Sequence, residues 1–134
     1  MRKTTRKGWV RKLDKLVGDI VKARDGKCIV CGTTKQLTCG HLFSRIAYST
    51  RWDLDNCYAQ CLSCNFRHES DPYPMTEAVK EKYWHKLFNE GNHIGELLES
   101  DVKDWIEGLH FKYVTPRKFK DFELAELYET LSQN

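Results

Sequence analysis

Apolar residues recur at helical spacing over the first part of the chain. From Trp9 to about Arg24 they fall at steps of three and four residues, which is the period of an amphipathic α-helix. Asp25-Gly26 is expected to end this helix, because glycine readily adopts the backbone conformation that closes a helix. Three basic residues lie off the apolar stripe: Arg11, Lys12 and Lys15.

The hydrophobic pattern becomes shorter between residues 28 and 64. Leu37 to Phe43 predicts a short strand, and a second strand is expected near Ile46 to Ser49. Residues 53–56 are typical of a loop, which leads to a helix starting around Cys61. The run Asp71-Pro72-Tyr73-Pro74 is expected to break that helix and to mark the best internal boundary.

The remaining segment reads as a helical tail with three helices. The first is expected from Thr76 to about Asn89 with its end at Gly91, the second from Ser100 through Leu109, and the third from about Arg117 to Leu131. Apolar residues available for packing are Tyr83, Trp84, Leu87, Trp105, Leu109, Phe122 and Leu127. We therefore divide the chain into residues 1–74 and a helical extension, residues 75–134, that belongs to the same domain or forms a packing or dimerisation unit.

Composition and charge narrow the class of protein. The 134 residues are 40% hydrophobic and 31% charged, which is typical of a globular domain. The absence of a long apolar run or an apolar signal core predicts a soluble intracellular protein without a membrane partner. Residues 1–27 carry ten Lys or Arg and three Asp. This basic segment predicts a polyanionic partner, of which nucleic acid is the commonest.

Two cysteine pairs of the same form, Cys28-x2-Cys31 and Cys61-x2-Cys64, predict a structural Zn²⁺ site. Four thiolates complete a tetrahedron around zinc and leave no open position for catalysis. The other two cysteines, Cys39 and Cys57, are expected to be small buried residues rather than ligands. A plain zinc ribbon is the alternative interpretation of the clamp.

The segment between and beside the cysteine pairs contains residues suited to phosphodiester hydrolysis. His41 and Asn56 lie between the pairs, and Asn65 follows the last cysteine. A neutral imidazole can accept a proton from water, and a carboxamide can orient it or bind a hard cation through its oxygen. Each residue alone is commonly structural, so the hypothesis depends on their joint placement.

The arrangement CIVC…CGH…DNCYAQCLSCN resembles the zinc-clamped HNH (ββα-metal) nucleases, and in particular the phage NinG/Rap recombination endonucleases. The resemblance covers roughly residues 11–70, and the helical tail matches only in character. The matching segments are Leu13-Asp14-Lys15-Leu16, Arg24-Asp25-Gly26, Gly40-His41, Thr50-Arg51-Trp52-Asp53, Asn56, Gln60-Cys61 and Cys64-Asn65.

This resemblance implies an α+β fold, in which a small zinc-clamped HNH core follows a basic N-terminal helix and precedes a helical tail. It implies a structure-selective endonuclease acting on branched DNA such as D-loops or Holliday junctions, with Mg²⁺ or Mn²⁺ as catalytic cation. The setting would be the cytoplasm of a phage-infected or prophage-bearing bacterium. A homodimer and contacts with other recombination proteins would suit such a substrate. The alternatives are a non-catalytic zinc-ribbon accessory protein and an HNH enzyme cutting linear duplex.

Carried onto this chain, the resemblance gives His41 as general base, Asn56 as the middle Asn and Asn65 as a cation ligand. Many HNH proteins have an Asp before the catalytic His, where this chain has Gly40. The cation therefore lacks an identified carboxylate. The candidates to fill this gap are Asp53, Asp55, His68 and Glu69, and His68 is preferred because it lies one helical turn beyond Asn65.

Four basic residues are expected to contact DNA: Arg11, Lys12, Arg45 and Arg51. Guanidinium groups suit phosphate oxygens, and nothing in the pattern indicates base readout, so recognition of shape and backbone is expected. Trp52 could stack at a branch point, although an aromatic residue in this position is commonly part of the core.

Overall fold

The computed structural model describes residues 2–90 and 96–133, and for residues 96–98 the backbone alone. It combines helices with a small two-stranded sheet. The elements in chain order are α1 (Arg6–Asp25), β1 (Leu37–His41), α2 (Tyr48–Arg51), β2 (Cys57–Cys61), α3 (Leu62–His68), α4 (Tyr73–Asn89), α5 (Glu96–Val114) and α6 (Asp121–Leu131). None of the helices in the described ranges is long and apolar enough to cross a membrane.

Helix α1 confirms the helix predicted from the apolar periodicity. Thr5 caps it by accepting a hydrogen bond from the backbone N–H of Gly8, and Gly26 closes it with a φ of 68°. The apolar stripe is buried, so the helix is held by tertiary packing as well as by its caps. Its most buried apolar side chains are Leu13, Val17 and Val21.

Strands β1 and β2 form an antiparallel pair in which Leu37 lies opposite Cys61 and His41 opposite Cys57. Because side chains alternate along a strand, residues 39 and 41 face one side together with residues 57 and 59. Residues 38 and 40 face the other side together with residues 58 and 60. This alternation decides which candidate residues can meet.

The prediction of a second strand near Ile46 to Ser49 was wrong. That segment is a loop followed by the short helix α2, and Ile46 is exposed. The second strand is β2, which directly follows the predicted loop and is buried along its whole length. A strand covered on both faces lacks the alternating pattern by which a half-buried strand is recognised.

The helices cover both faces of the sheet. On one face, α1 and α6 enclose a core with Trp52, Cys57, Ala59 and Leu124. On the other, Tyr58 packs with Met75 and Val79 of α4 and Leu109 of α5. The helical extension therefore packs against the residue 1–74 segment on both sides, while the division at residue 74 remains a prediction.

The predicted helix break falls at residues 69–72 rather than at 71–74, and the bounds of the tail helices also differ from those predicted. Helix α4 starts at Tyr73 rather than Thr76, because Pro74 is accepted in the first helical turn. Helix α5 is longer than predicted at both ends, and α6 starts at Asp121 rather than at residue 117. The predicted helix end at Gly91 lies outside the described residues.

Candidate metal and catalytic centre

The four clamp cysteines meet in one cluster. Their sulfur atoms all lie within 4.8 Å of one another, and Cys31 Sγ is 3.7 Å from Cys61 Sγ. A tetrahedral site with Zn–S bonds of about 2.3 Å has sulfur–sulfur edges of about 3.8 Å. The four cysteines could therefore hold a zinc ion, as the two C-x2-C pairs predicted.

The protonation of this cluster also favours a bound cation. The Ser63 hydroxyl and the backbone N–H of Cys64 lower the pKa of Cys61 to about 6. Burial and the neighbouring thiols raise the pKa of Cys64 to about 12. Four thiolates in one cluster repel one another unless a cation compensates their charge. A zinc ion would provide that compensation and would displace the remaining protons.

His41 ends strand β1 on the side of the sheet that faces α1. Its Nε2 lies 2.9 Å from the backbone oxygen of Arg51. A carbonyl only accepts, so Nε2 carries the hydrogen and Nδ1 holds the lone pair of the neutral ring. Burial lowers the pKa of His41 below its ordinary value, with the charge of Arg51 acting in the same direction. The imidazole is thus a neutral proton acceptor at physiological pH.

The recess beside His41 has a volume of about 80 Å³ and is bordered by the charged residues Asp14, Arg45 and Arg51. Asp14 accepts hydrogen bonds from Arg51 Nε at 2.9 Å, Arg51 Nη2 at 2.7 Å and Trp52 Nε1 at 2.9 Å. Burial acts to raise the pKa of Asp14, but these hydrogen bonds outweigh it and lower the pKa. Asp14 therefore fixes the position of Arg51, and Trp52 is part of the core with 4% exposure.

The role of Asp14 was not predicted from the sequence, although a signal for it was present. Asp14 lies in one matching segment of the resemblance, and Arg51 and Trp52 lie in another. The structure joins the two segments by hydrogen bonds from Arg51 and Trp52 to Asp14. The signal was therefore the presence of an acidic residue in one matching segment and a basic residue in the other.

Asn56 is completely buried and holds the loop between the strands. Its Nδ2 donates to the backbone oxygens of Phe43 at 2.9 Å and Thr50 at 3.1 Å, and its Oδ1 accepts from the Phe43 N–H at 2.8 Å. Both amide atoms are therefore used within the protein. This geometry gives Asn56 a positioning role for the segment that follows His41.

Asn65 and His68 lie on α3, on the opposite side of the sheet from His41. Asn65 Nδ2 donates to Thr38 Oγ1 at 2.9 Å. Thr38 lies three residues before His41 in β1, so the side chains of Thr38 and His41 point to opposite faces of the sheet. His68 Nε2 lies 2.9 Å from the backbone oxygen of Leu42, the residue after His41. The structure thus brings His68 to the strand end that carries His41, whereas Asn65 lies beside Thr38 near the start of β1, and both lie across the sheet from the His41 side chain.

The carboxylates named as candidate cation ligands have other surroundings. Asp53 accepts a hydrogen bond from Lys112 Nζ at 2.6 Å through one oxygen and from the Asp55 N–H at 2.9 Å through the other. The backbone oxygen of Asp55 accepts from the Tyr58 hydroxyl. Asp53 is therefore an anchor for α5, whereas Asp55 and Glu69 are exposed. Of the four candidates, His68 is the one whose side chain is bonded to Leu42, the residue after His41.

A second cysteine group surrounds His41. One ring nitrogen of His41 and the sulfurs of Cys39 and Cys57 lie within 4.8 Å of one another. Cys57 is buried, as expected, and Cys39 is partly buried. These two thiols are thus packed beside the imidazole, on the face of the sheet opposite α3.

A comparison with protein families identifies the group to which the chain belongs. The family model described as Bacteriophage Lambda NinG protein matches residues 2–101. The chain belongs to the NinG family. The NinG match includes both cysteine pairs, His41, Asn56 and Asn65. No curated protein and no solved structure matches the chain.

The NinG match also includes the four basic residues expected to contact DNA. Arg11 and Lys12 are exposed on α1, and Arg45 is exposed at the recess beside His41. Arg51 differs from them, because Asp14 binds two of its nitrogens and leaves it only partly accessible. Arg45 is therefore the guanidinium beside His41 that has the greater access to a phosphate.

Proposed function

We propose that this NinG-family chain is a metal-dependent endonuclease of the HNH type that hydrolyses phosphodiester bonds in branched DNA recombination intermediates. The observation that supports this most is His41. It is a neutral imidazole fixed by the Arg51 backbone oxygen, beside a recess with the exposed guanidinium of Arg45. The sequence resemblance adds the substrate class, D-loops or Holliday junctions.

In this mechanism His41 takes the proton of the attacking water through Nδ1. Arg45 holds a non-bridging phosphate oxygen, and Asp14 keeps Arg51 in place so that its backbone oxygen orients the imidazole. Asn56 keeps the loop after His41 in register. Each of these groups acts by position or by a single proton transfer.

The residues on α3 suit the divalent cation that the HNH resemblance implies. Asn65 has its nitrogen bonded to Thr38, which leaves Oδ1 as its ligand atom, and His68 has Nδ1 buried without a hydrogen-bond partner among the described residues. Oxygen and imidazole nitrogen are ligands that Mn²⁺ accepts. A bound cation would stabilise the charge on the phosphate and on the leaving oxygen. The phosphate would lie across the end of β1 that carries His41, where His68 approaches from the other side of the sheet.

A second candidate function is a non-catalytic zinc-ribbon protein that binds DNA during recombination. The observation that favours it is the separation of the side chains of His41 and Asn65 by the sheet. The zinc clamp and the basic helix α1 would serve this function equally well.

Cleavage of a labelled four-way junction by the zinc-loaded protein, with Mg²⁺ or Mn²⁺ added, tests the proposal. We expect cleavage by the wild type and a loss of about 100-fold or more for His41→Ala, since a general base contributes on that order. His85→Ala is the matched control, because His85 is an exposed histidine on α4. Cleavage that survives His41→Ala would overturn the mechanism.

The same assay separates the competing functions. Junction binding without cleavage in either cation would favour the zinc-ribbon accessory protein. Equal rates on linear duplex, splayed and four-way substrates would favour an HNH enzyme without structure selectivity.

A further inference from the structure

The end of α5 and the loop that joins it to α6 combine basic and aromatic residues. Residues 112–120 include four cations, two aromatic rings and no carboxylate, and the cations are Lys112, Arg117, Lys118 and Lys120. Surfaces that bind single-stranded nucleic acid are commonly built from this combination, because cations contact the phosphates and aromatic rings stack on the bases. None of the four cations is among the basic residues that the sequence predicted to contact DNA.

This segment borders a pocket of about 410 Å³ with mainly apolar walls. Pockets of roughly 300–1,000 Å³ are the size that holds small organic ligands. The walls include Ser49 of α2, Lys112, Pro116, Arg117 and Phe119. Phe111 also forms part of the wall and is 71% exposed, so most of its ring is open to solvent. The pocket therefore offers an open aromatic face to a ligand.

Cations lie in the walls of this pocket. The Arg117 guanidinium is 4.3 Å from the centre of the Phe119 ring and donates to Glu123 at 2.9 Å. Lys112 Nζ donates to Asp53 at 2.6 Å. Both cations are about half exposed, and ion pairs at a surface contribute little, so an incoming phosphate can replace the carboxylates. An apolar pocket flanked by cations is complementary to a nucleotide, which has a flat ring beside a charged phosphate.

The pocket lies close to the recess beside His41. On α2, Ser49 borders the pocket and Arg51 borders the recess, and two residues of a helix span about 3 Å along its axis. Trp52 lines the recess, and the centre of its ring lies 5.7 Å from that of Phe119 in the pocket. A DNA strand with a phosphate at His41 therefore brings the base of a nearby nucleotide within reach of the pocket.

We propose that this pocket binds an unpaired base of branched DNA, with Phe111 as the ring on which the base stacks. The proposal rests on the proposed nuclease function for the kind of DNA that reaches the site. Within a duplex each base is paired and stacked between its neighbours, so its face is not available without unstacking. At a branch point or on a single-stranded arm, the face is free to stack on an aromatic side chain. Phe111 is therefore the residue that distinguishes branched DNA from linear duplex.

Binding of a splayed DNA with a fluorescent adenine analogue at its branch point tests this proposal. The zinc-loaded protein is used without added Mg²⁺ or Mn²⁺, so that binding is measured apart from cleavage. We expect the wild type to quench the analogue by stacking. Phe111→Ala should abolish the quenching and weaken binding of the splayed DNA by about tenfold, on the scale of one lost stacking contact. Binding of a linear duplex of the same sequence should stay unchanged.

Two variants control for the loss of the ring. Phe111→Trp keeps a large aromatic face and should bind the splayed DNA like the wild type. Phe88→Ala removes an exposed phenylalanine from α4, outside the pocket, and should also bind like the wild type. Circular dichroism and zinc content establish that each variant is folded.

Unchanged binding of the splayed DNA by Phe111→Ala, or an equal loss on splayed DNA and linear duplex, would overturn the proposal. Loss of self-association in Phe111→Ala with unchanged DNA binding would also overturn it, and would assign the pocket to contact between two copies of the chain.

Binding of unpaired bases through Phe111 in a protein that cleaves no junction would overturn the nuclease function and leave the base pocket standing. Cleavage that requires His41 and keeps its preference for branched DNA in Phe111→Ala would do the reverse.

Discussion

At the scale of single residues, the Asn56 carboxamide is chemically suited to more than one role, and its contacts in the structure favour one of them. The sequence placed this carboxamide between His41 and the second cysteine pair, where it could orient the base or hold the loop. The structure shows it fully buried, with bonds to Phe43 and Thr50 on both of its amide atoms. Spacing alone could not distinguish these roles, because the burial of Asn56 depends on how the following strand packs.

Asn56→Ala is expected to destabilise the fold strongly. The substitution removes three hydrogen bonds and leaves the Phe43 N–H and two carbonyl groups without their partner. At about 1 kcal/mol or more for each buried group, the free energy of unfolding should fall by roughly 2–4 kcal/mol. Urea unfolding measures this, with Asn65→Ala as a control that loses only the bond to Thr38. Equal effects of the two substitutions would contradict the positioning role.

The protonation of His41 predicts the pH dependence of cleavage. Burial lowers the pKa of His41 below the ordinary value of 6.5, so the neutral, proton-accepting form persists as the pH falls through that value. The cleavage rate should therefore fall only at pH values below 6.5, where His41 becomes protonated. Junction cleavage measured from acid to neutral pH checks this, and His85→Ala should show the same fall. A fall centred at or above pH 6.5 would show that His41 is not buried as described or is not the base.

At the scale of secondary-structure elements, local patterns predicted α1, the start of β1 and the cysteine pairs, but not β2. Helix α1 has an apolar stripe, a cap at Thr5 and a glycine at its end, all of which are local. Strand β2 is buried between helices on both faces. Helix α1 covers one face, and α4 and α5 pack against its Tyr58 on the other. Its pattern is set by elements far away in sequence, so no short window could reveal it.

The contact between helices α1 and α6 could not be predicted from the sequence either. Helix α6 packs on α1, and Leu124 is completely buried in the core they share. Phe122, which the periodicity offered as a packing residue, is 59% exposed. The apolar face of a helix can be located from its sequence, whereas its partner helix cannot.

Leu124→Ala is expected to cost about 2–5 kcal/mol of unfolding free energy, the usual range for a leucine truncated in a core. Phe122→Ala is the matched control on the same helix and should cost far less, because most of the phenyl ring is already in solvent. Urea unfolding of the two variants compares them. A larger loss for Phe122→Ala would mean that α6 presents its other face to α1.

At the scale of the whole molecule, the zinc clamp connects the segment after α1 to the end of β2 and the start of α3. Cys28 and Cys31 lie in the turn that follows Gly26, while Cys61 ends β2 and Cys64 lies on α3. A zinc ion held by the four thiols would thereby fix the helix that carries Asn65 and His68 relative to the strand that carries His41. The sequence correctly predicted that these four cysteines come together, in a cluster that could hold a zinc ion. It could not predict on which side of the sheet each catalytic candidate would lie, since that depends on strand register.

Removal of zinc should therefore loosen the candidate site and not only the turn at Cys28. Without the cation, the cluster must take up protons on thiols such as Cys64, whose pKa lies at about 12, and the sulfurs lose the bonds that hold them together. We expect about one zinc per chain and a marked fall in melting temperature on treatment with a strong chelator, followed by circular dichroism.

Cys31→Ser should lower both zinc content and melting temperature, because Cys31 contributes a sulfur 3.7 Å from that of Cys61. Cys39→Ser is the control, since Cys39 packs beside His41 and not in the clamp. A full zinc equivalent in Cys31→Ser, together with loss of zinc in Cys39→Ser, would place the metal at His41 instead. Zinc would then occupy the imidazole that serves as the base, and the nuclease mechanism would be contradicted.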